Sequence, residues 1–232
     1  MKPLAVITAA LLLTGFGAGA HGASTELVLA IDGSGSIVTS DWTMMLSGYA
    51  AAIANPSIVP QDGSVALGVV QFSSNTRVEI PITTVTSGNV SALTANIASL
   101  SQMGFRTNIS EGITVAETLL SANFIGKQII DVSTDGQHNQ GGWTPLEAAM
   151  AAVDSGDADA VNVIAIGRAL DYDFNYGVDS FNLYVDDFDG FGVAIADKIT
   201  REIDPMVPAP GALLLANLGV GLLYWTQRRR IQ

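Results

Sequence analysis

Short apolar runs that alternate with stretches of helical periodicity constrain the fold of this chain more than any other feature. The run Glu26 to Ile31 (ELVLAI) leads into a Gly-rich segment, which is typical of a strand buried on both faces. Similar runs predict four further strands: Val65 to Phe72, Lys127 to Ser133, Ala160 to Gly167 and the short Phe181 to Val185. Between them, apolar residues at helical spacing predict five helices: Thr39 to Ala54, Val90 to Leu100, Ile109 to Leu120, Pro145 to Val153 and Asp189 to Ile203.

Thr76 to Thr83 differs from the other strands because it alternates polar and apolar residues and contains Pro81. Alternation with proline is typical of an edge strand, here in a hairpin across Ser73 to Asn75. The predicted fold class is therefore α/β: a mostly parallel central sheet, one antiparallel edge strand, and helices on both faces. In such sheets ligands bind at the carboxyl ends of the strands.

The loop after the first strand, Asp32-Gly33-Ser34-Gly35-Ser36, allows two interpretations. A dinucleotide-binding loop requires a third glycine where Val38 stands, and a phosphate-binding P-loop requires a lysine that is absent. A cation site requires oxygen donors. The carboxylate and two hydroxyls at alternate positions of this turn satisfy that requirement, and the sequence favours this interpretation.

Two other strand ends add oxygen donors of the same kind. Thr107 precedes the third predicted helix, and Asp135 follows the strand that ends at Ser133. The carboxyl ends of parallel strands meet at one edge of a sheet, so five donors should converge: Asp32, Ser34, Ser36, Thr107 and Asp135. Hard oxygens suit a divalent cation, with Mg²⁺ expected and Mn²⁺ or Ca²⁺ as alternatives. The same residues could also be turn formers without a ligand.

At these five residues the chain resembles a von Willebrand factor A-type (VWA) domain, with a Rossmann-like fold, over Glu26 to Ile203. They match every member of the family's metal-ion-dependent adhesion site (MIDAS). The stretch IIDVSTDGQHNQGG and the closing KITREI are most similar to a bacterial VWA-like subfamily of unknown function. The resemblance implies that the cation keeps one coordination position open for an acidic side chain of a protein or extracellular-matrix partner.

Charge supports a cation and excludes some partners. All 22 acidic residues lie between Glu26 and Asp204, and residues 24–204 contain six basic ones, a net charge of −16. Such a field attracts cations and repels nucleic acid and anionic lipid headgroups. The chain has no cysteine, so disulfides and thiolate chemistry are excluded.

Both ends of the chain read as processing segments around a VWA domain at residues 24–204. Residues 1–20 combine Lys2, an apolar run and a small-residue cleavage site, as a secretory signal peptide does. Residues 205–232 contain an apolar stretch at about 211–226, which predicts a transmembrane helix, and then three arginines. This tail resembles the PEP-CTERM class of bacterial sorting signals, with Ala209 where the commonest form has glutamate. The resemblance implies processing by an exosortase.

These features predict an exported binding module of the bacterial cell envelope or extracellular space, anchored at least transiently in the inner membrane, and not an enzyme. Alternatives are a metal-dependent hydrolase, for which His138 is the candidate base, and a scaffold stabilised by metal. Asp131 interrupts an apolar strand and lies either behind the site or at a solvated edge. The late aspartates lack EF-hand spacing and are expected to form a solvated acidic surface.

Overall fold

The computed structural model describes residues 23–167 and 173–203. Within them the strands are β1 (Thr25–Asp32), β2 (Asp62–Phe72), β3 (Thr76–Thr86), β4 (Lys127–Thr134), β5 (Ala160–Ile166), β6 (Tyr176–Gly177) and β7 (Asn182–Val185). The helices are α1 (Thr39–Ala54), α2 (Val90–Ala98), α3 (Ile109–Glu117), α4 (Pro145–Asp154) and α5 (Phe191–Ile203). All the predicted elements are present.

The strands form one sheet in the order β3-β2-β1-β4-β5-β6, with β7 also paired to β5. Strands β2, β1, β4 and β5 are mutually parallel, which confirms the predicted parallel core. Strand β3 is antiparallel to β2 at one edge, as alternation and Pro81 predict. At the other edge β7 is parallel to β5, and the two-residue β6 adds a short antiparallel pairing that sequence analysis did not predict.

Helices cover both faces of the sheet, which confirms the predicted layers. On β1, alternate side chains point to opposite faces, as the pleat of a strand requires. Leu27, Leu29 and Ile31 are buried with helices α1, α2 and α5, whereas Val28 and Ala30 are buried with α3 and α4. Two apolar layers therefore hold the sheet rigid from both sides and fix the positions of its loops.

Helix α3 is shorter than the apolar periodicity predicts. The pattern continues to Leu120, but the helix ends at Glu117. The amides of Leu119 and Leu120 donate to carbonyls three residues earlier, a tight final turn that keeps their side chains on the apolar face. Apolar spacing alone does not distinguish such a turn from a continuing helix.

The predictions about the chain ends concern residues outside the described part of the structure. The signal peptide (1–20), the transmembrane helix (about 211–226), the arginine cluster and the sorting signal all lie there. Among residues 23–167 and 173–203, no helix is long and apolar enough to cross a membrane.

Candidate metal centre

The first loop of the site folds back on the end of β1. The backbone amide of Ser34 donates to Asp32 Oδ1 at 2.8 Å, which closes the turn on the carboxylate itself. Ser34 Oγ lies 3.0 Å from Ser36 Oγ. Asp32 and Ser34 are fully buried, whereas Ser36 is exposed. The three alternate side chains thus line a path from the sheet interior to the surface.

Gly33 is required because another side chain already occupies the space beside it. A Cβ at Gly33 would overlap the side-chain oxygen of Gln71. Gln71 is fully buried and held by three hydrogen bonds, to the amide of Met103 and to oxygens of Glu79 and Ser101. It therefore has no room to move aside. The glycine serves the turn, as the sequence indicated, and not a phosphate.

The second loop is clamped onto the first. The amide of Gly104 donates to the carbonyl of Gly33, and the amide of Gly35 donates to the carbonyl of Phe105, each at 2.8 Å. Thr107, two residues further on, is buried. Its amide donates to Asn139 Oδ1 at 3.1 Å, and its carbonyl accepts from the amide of Asn139 at 3.0 Å. The third loop therefore fixes the position of Thr107.

The third loop joins both carboxylates to the first. Ser36 Oγ donates to Asp135 Oδ1 at 2.7 Å, and Thr134 Oγ1 donates to Asp32 Oδ2 at 2.6 Å. A Cβ on Gly136 would lie 3.2 Å from Thr107 Oγ1 and 3.6 Å from Asp32 Oδ2, so these two oxygens border the same small space. The structure thus brings together all five predicted residues, here called the cation site: Asp32, Ser34, Ser36, Thr107 and Asp135.

Thr134 contacts the cation site but was not among its predicted residues. It is the last residue of β4 and is fully buried, whereas the predicted strand ends at Ser133. Its hydroxyl orients the Asp32 carboxylate and accepts from the amide of Gly136 at 3.1 Å. A hydroxyl at a strand end, directly before Asp135, was the available signal. Residues that orient metal ligands in this way support the ligand geometry.

Burial makes the two carboxylates costly to ionise without a cation. It raises the pKa of Asp32 to about 6, against hydrogen bonds from Thr134 and Ser34 that lower it. Burial also raises the pKa of Asp135, against the hydrogen bond from Ser36. Within the described part of the chain neither carboxylate forms a salt bridge. A divalent cation at this point would supply the missing positive charge.

The donor set fits a hard cation. It contains two carboxylates and three hydroxyls, with no sulfur or imidazole donor among the five residues. Across residues 23–167 and 173–203, no group of three or more His, Cys, Asp or Glu side chains could hold a metal. Oxygen donors of mixed charge suit Mg²⁺, Mn²⁺ or Ca²⁺ better than a soft ion.

Two other residues weighed from the sequence lie outside the cation site. His138 Nδ1 accepts from the amide of Ile109 at 3.2 Å, at the start of α3. Asp131 is fully buried on β4, and its Oδ1 lies 2.7 Å from Nζ of Lys198 on α5. The solvated-edge interpretation of Asp131 is therefore wrong, because α5 covers that face of the sheet. The described late aspartates are exposed, as expected: Asp173, Asp179, Asp186, Asp187 and Asp189.

Solved structures with this fold come from matrix, adhesion and VWA proteins. One is proximal thread matrix protein 1 of the mussel byssus with a zinc-occupied MIDAS motif (TM-score 0.60, 18% identity, 77% of this chain and 47% of that one). Another is the pilus adhesin SpaC of Lactobacillus rhamnosus GG in its open conformation (0.62, 15%, 78% and 30%). A third is a von Willebrand factor type A structure from Catenulispora acidiphila (0.58, 14%, 78% and 43%). The chain thus spans about half the length of the mussel protein and less than half the length of each of the other two.

The sheet order, the helices on both faces and these similarities define a VWA-type fold. No curated protein sequence matches the chain. The chain belongs to the family described as "Protein of unknown function (DUF1194)", whose model matches residues 22–207. Fold class and family therefore agree with the resemblance found in the sequence.

Proposed function

We propose that this protein is an exported binding module that uses a divalent cation to hold a carboxylate of a protein or matrix partner. The observation that carries the proposal is the convergence of five oxygen donors from three loops, with no lysine or arginine paired to either carboxylate in the described residues. A site that stays anionic at the carboxyl ends of the strands favours binding of a cation from solution.

The open side of the site favours a ligand in addition to the cation. Ser36 is exposed and Asp135 is partly exposed, whereas Asp32, Ser34 and Thr107 close the site from below. A cation held mainly from one side retains coordination positions toward solvent, where water or a partner's carboxylate can bind. In a domain with a charge of −16, this would be a local point of attraction for acidic ligands.

The environment of His138 favours binding over hydrolysis. A hydrolase that used the cation as a Lewis acid would need a general base near the open position. His138 Nδ1 already accepts the backbone amide of Ile109, so the neutral ring carries its proton on Nε2 and has no nitrogen left to act as a base. A matrix protein and a pilus adhesin with the same fold also support a binding role.

The proposed location follows from the sequence. Residues 1–20 direct export, and residues 205–232 would anchor the protein in the inner membrane until an exosortase-type enzyme processes the tail. The VWA domain would then act at the cell envelope or outside the cell. The fold also occurs in a byssus matrix protein and a pilus adhesin, which is consistent with this location.

The experiment that tests the proposal compares the wild type with Ser34→Ala and, as a matched control, Ser73→Ala. Both serines are buried and follow a sheet strand, but Ser73 lies on the loop after β2, outside the cation site. Melting temperature and calorimetric binding would be measured after EDTA treatment and with Mg²⁺, Mn²⁺, Ca²⁺ or Zn²⁺. A ligand at 100 times its Kd stabilises the folded state by about 2.7 kcal/mol.

We expect a cation to raise the melting temperature of the wild type and of Ser73→Ala, but much less that of Ser34→Ala. Capture of carboxylate-bearing beads should require the same cation. Metal binding that survives Ser34→Ala unchanged would place the ion elsewhere. Stabilisation without carboxylate capture would favour the metal-stabilised scaffold, and ester or peptide hydrolysis lost in His138→Ala would favour the enzyme.

A further inference from the structure

Phe105 occupies an unfavourable backbone conformation beside the cation site. Its φ is +73°, in the left-handed region that bulky residues rarely adopt, and it follows Gly104 at φ +78°. Its side chain is 81% exposed, although phenylalanine is among the residues most often buried. Both the backbone conformation and the exposure of the ring cost stability in the isolated domain.

The contacts of its backbone hold Phe105 at the rim of the cation site. Its carbonyl accepts from the amide of Gly35, between the two serines of the site, and Thr107 follows two residues later. A Cβ on Gly35 would lie 3.2 Å from that carbonyl oxygen, so the two loops pack backbone against backbone. An exposed aromatic ring fixed in this way has the properties of an anchor for a partner.

Arg106, the next residue, adds a positive charge to the same loop. It is exposed, and its side chain forms no hydrogen bond or ion pair with the described residues. Every other basic side chain in the described residues has a polar or ring contact: Arg77 pairs with Glu79, Lys198 with two carboxylates, Lys127 donates to a carbonyl, and Arg201 lies over the Phe181 ring. Acidic residues outnumber basic ones in this domain, and among the described residues the basic side chain without such a contact is that of Arg106, between Phe105 and Thr107.

We propose that Phe105 and Arg106 select the partner: an acidic peptide segment whose metal-binding carboxylate has an apolar neighbour and a second acidic residue nearby. The apolar side chain would pack on the Phe105 ring, and the second carboxylate would pair with Arg106. This inference rests on the proposed function, because the first carboxylate must reach the cation. Carboxylated polysaccharides lack the apolar side chain and would gain nothing from the ring.

The test uses three symmetric peptides coupled to sensor surfaces, so that the direction of binding does not matter. Their sequences are Gly-Glu-Leu-Asp-Leu-Glu-Gly, Gly-Glu-Gly-Asp-Gly-Glu-Gly and Gly-Gln-Leu-Asp-Leu-Gln-Gly, with polygalacturonate as a fourth surface. The variants are Phe105→Asn, since asparagine tolerates a left-handed φ, and Arg106→Gln. Ile125→Asn is the matched control. Ile125 is 94% exposed and precedes β4, at the amino ends of the parallel strands, whereas the cation site lies at their carboxyl ends.

With Mg²⁺ or Mn²⁺ present, we expect the wild type to bind the first peptide most tightly. Phe105→Asn should weaken that binding about tenfold, and should leave polygalacturonate capture, cation affinity and melting temperature unchanged or raised. Arg106→Gln should remove the preference for Glu over Gln, an effect of about threefold that disappears at high salt. Ile125→Asn should bind like the wild type.

The outcomes separate the two proposals. If the wild type binds a cation but captures no carboxylate surface, the proposed function and this inference both fail. If capture is cation-dependent but equal for the three peptides, or equal in Phe105→Asn and wild type, only this inference fails. A marked fall in melting temperature in Phe105→Asn would assign the ring a structural role and would also overturn it.

Discussion

One lysine faces two carboxyl groups in the core between the sheet and α5, and this arrangement predicts an unusual pH dependence of stability. Lys198 Nζ lies 2.7 Å from Asp131 Oδ1 and 2.8 Å from Glu202 Oε1, and all three side chains are fully buried. The second oxygen of each carboxyl, Asp131 Oδ2 and Glu202 Oε2, has no hydrogen-bond donor in the described part of the chain. One positive charge therefore serves two acids.

Glu202 is expected to retain its proton at neutral pH. Burial raises the pKa of Glu202 to about 8, helped by the Asp131 charge and opposed by Lys198. A folded-state pKa above the usual 4.5 means that this group stabilises the fold fully below pH 4.5. That contribution is lost as the pH rises toward 8. Between pH 7 and pH 9 the expected loss is about 1.4 kcal/mol, since a folded-state pKa of about 8 leaves roughly one unit to titrate.

Glu202→Gln should abolish this dependence because glutamine resembles the protonated acid. Its amide oxygen can occupy the position of Oε1, which accepts from Lys198 and from Asn162 Nδ2 at 2.9 Å. Its amide nitrogen then supplies a donor where the acid would carry its proton. The variant should be no more stable than the wild type at pH 6 and more stable at pH 9.

The assay is urea denaturation in EDTA at intervals from pH 7 to pH 9, above the pKa of about 6 expected for Asp32. The wild type should lose about 1.4 kcal/mol over this range, and Glu202→Gln less than about 0.5 kcal/mol. Glu117→Gln, on the surface helix α3, is the control and should follow the wild type. A wild type with constant stability over this range, or a Glu202→Gln variant with the same slope, would refute the reasoning.

Three further predictions concern single contacts. Thr134→Val keeps the shape but removes the hydrogen bond to the buried carboxylate of the cation site, so cation affinity measured by calorimetry should fall about tenfold; unchanged affinity would remove Thr134 from the site. Gly33→Ala should destabilise by more than about 2 kcal/mol in urea, because its Cβ meets the fixed Gln71 side chain. Gly142→Ala is the control, because a Cβ there has nothing within 4 Å, and it should change stability little. Equal losses of stability in Gly33→Ala and Gly142→Ala would contradict the packing argument. Thr144→Ala removes the capping box of α4 and should cost about 1 kcal/mol by the same assay, whereas no change would show that the cap is not needed.

The convergence of the five residues of the cation site could be predicted because each lies at the end of a strand, in the loop after one, or before a helix. Asp32 ends the apolar run of β1, Asp135 comes directly after β4, and Thr107 precedes the Asn108 that caps α3. A parallel sheet collects such positions at one edge, so the site followed from the order of elements. The left-handed φ of Phe105 left no comparable signal, because it depends on the clamp between Gly104 and Gly33.

The buried charges of α5 could be anticipated only in part. Asp131 within an apolar strand indicated that a partner was needed, but nothing in the sequence identified Lys198. Phe191, Ile195 and Ile199 mark the apolar face of α5, and Lys198 reads as the polar flank of that face. Its burial depends on how closely α5 packs on β4 and β5, which is a tertiary property that periodicity does not contain.

Two pairs of carboxyl groups in this protein have different partners, and the difference supports a ligand at the cation site. In the core, Asp131 pairs with Lys198, and the raised pKa of Glu202 keeps that carboxyl protonated, so the charge is neutralised within the fold. At the sheet edge, Asp32 and Asp135 receive hydroxyl and amide hydrogen bonds but no basic side chain from the described residues. Hydrogen bonds from neutral donors orient a carboxylate but leave its charge in place. Since a lysine is accommodated beside Asp131, four residues before Asp135, the absence of a basic side chain at Asp32 and Asp135 is better explained by a cation from solution than by a structural role for these aspartates.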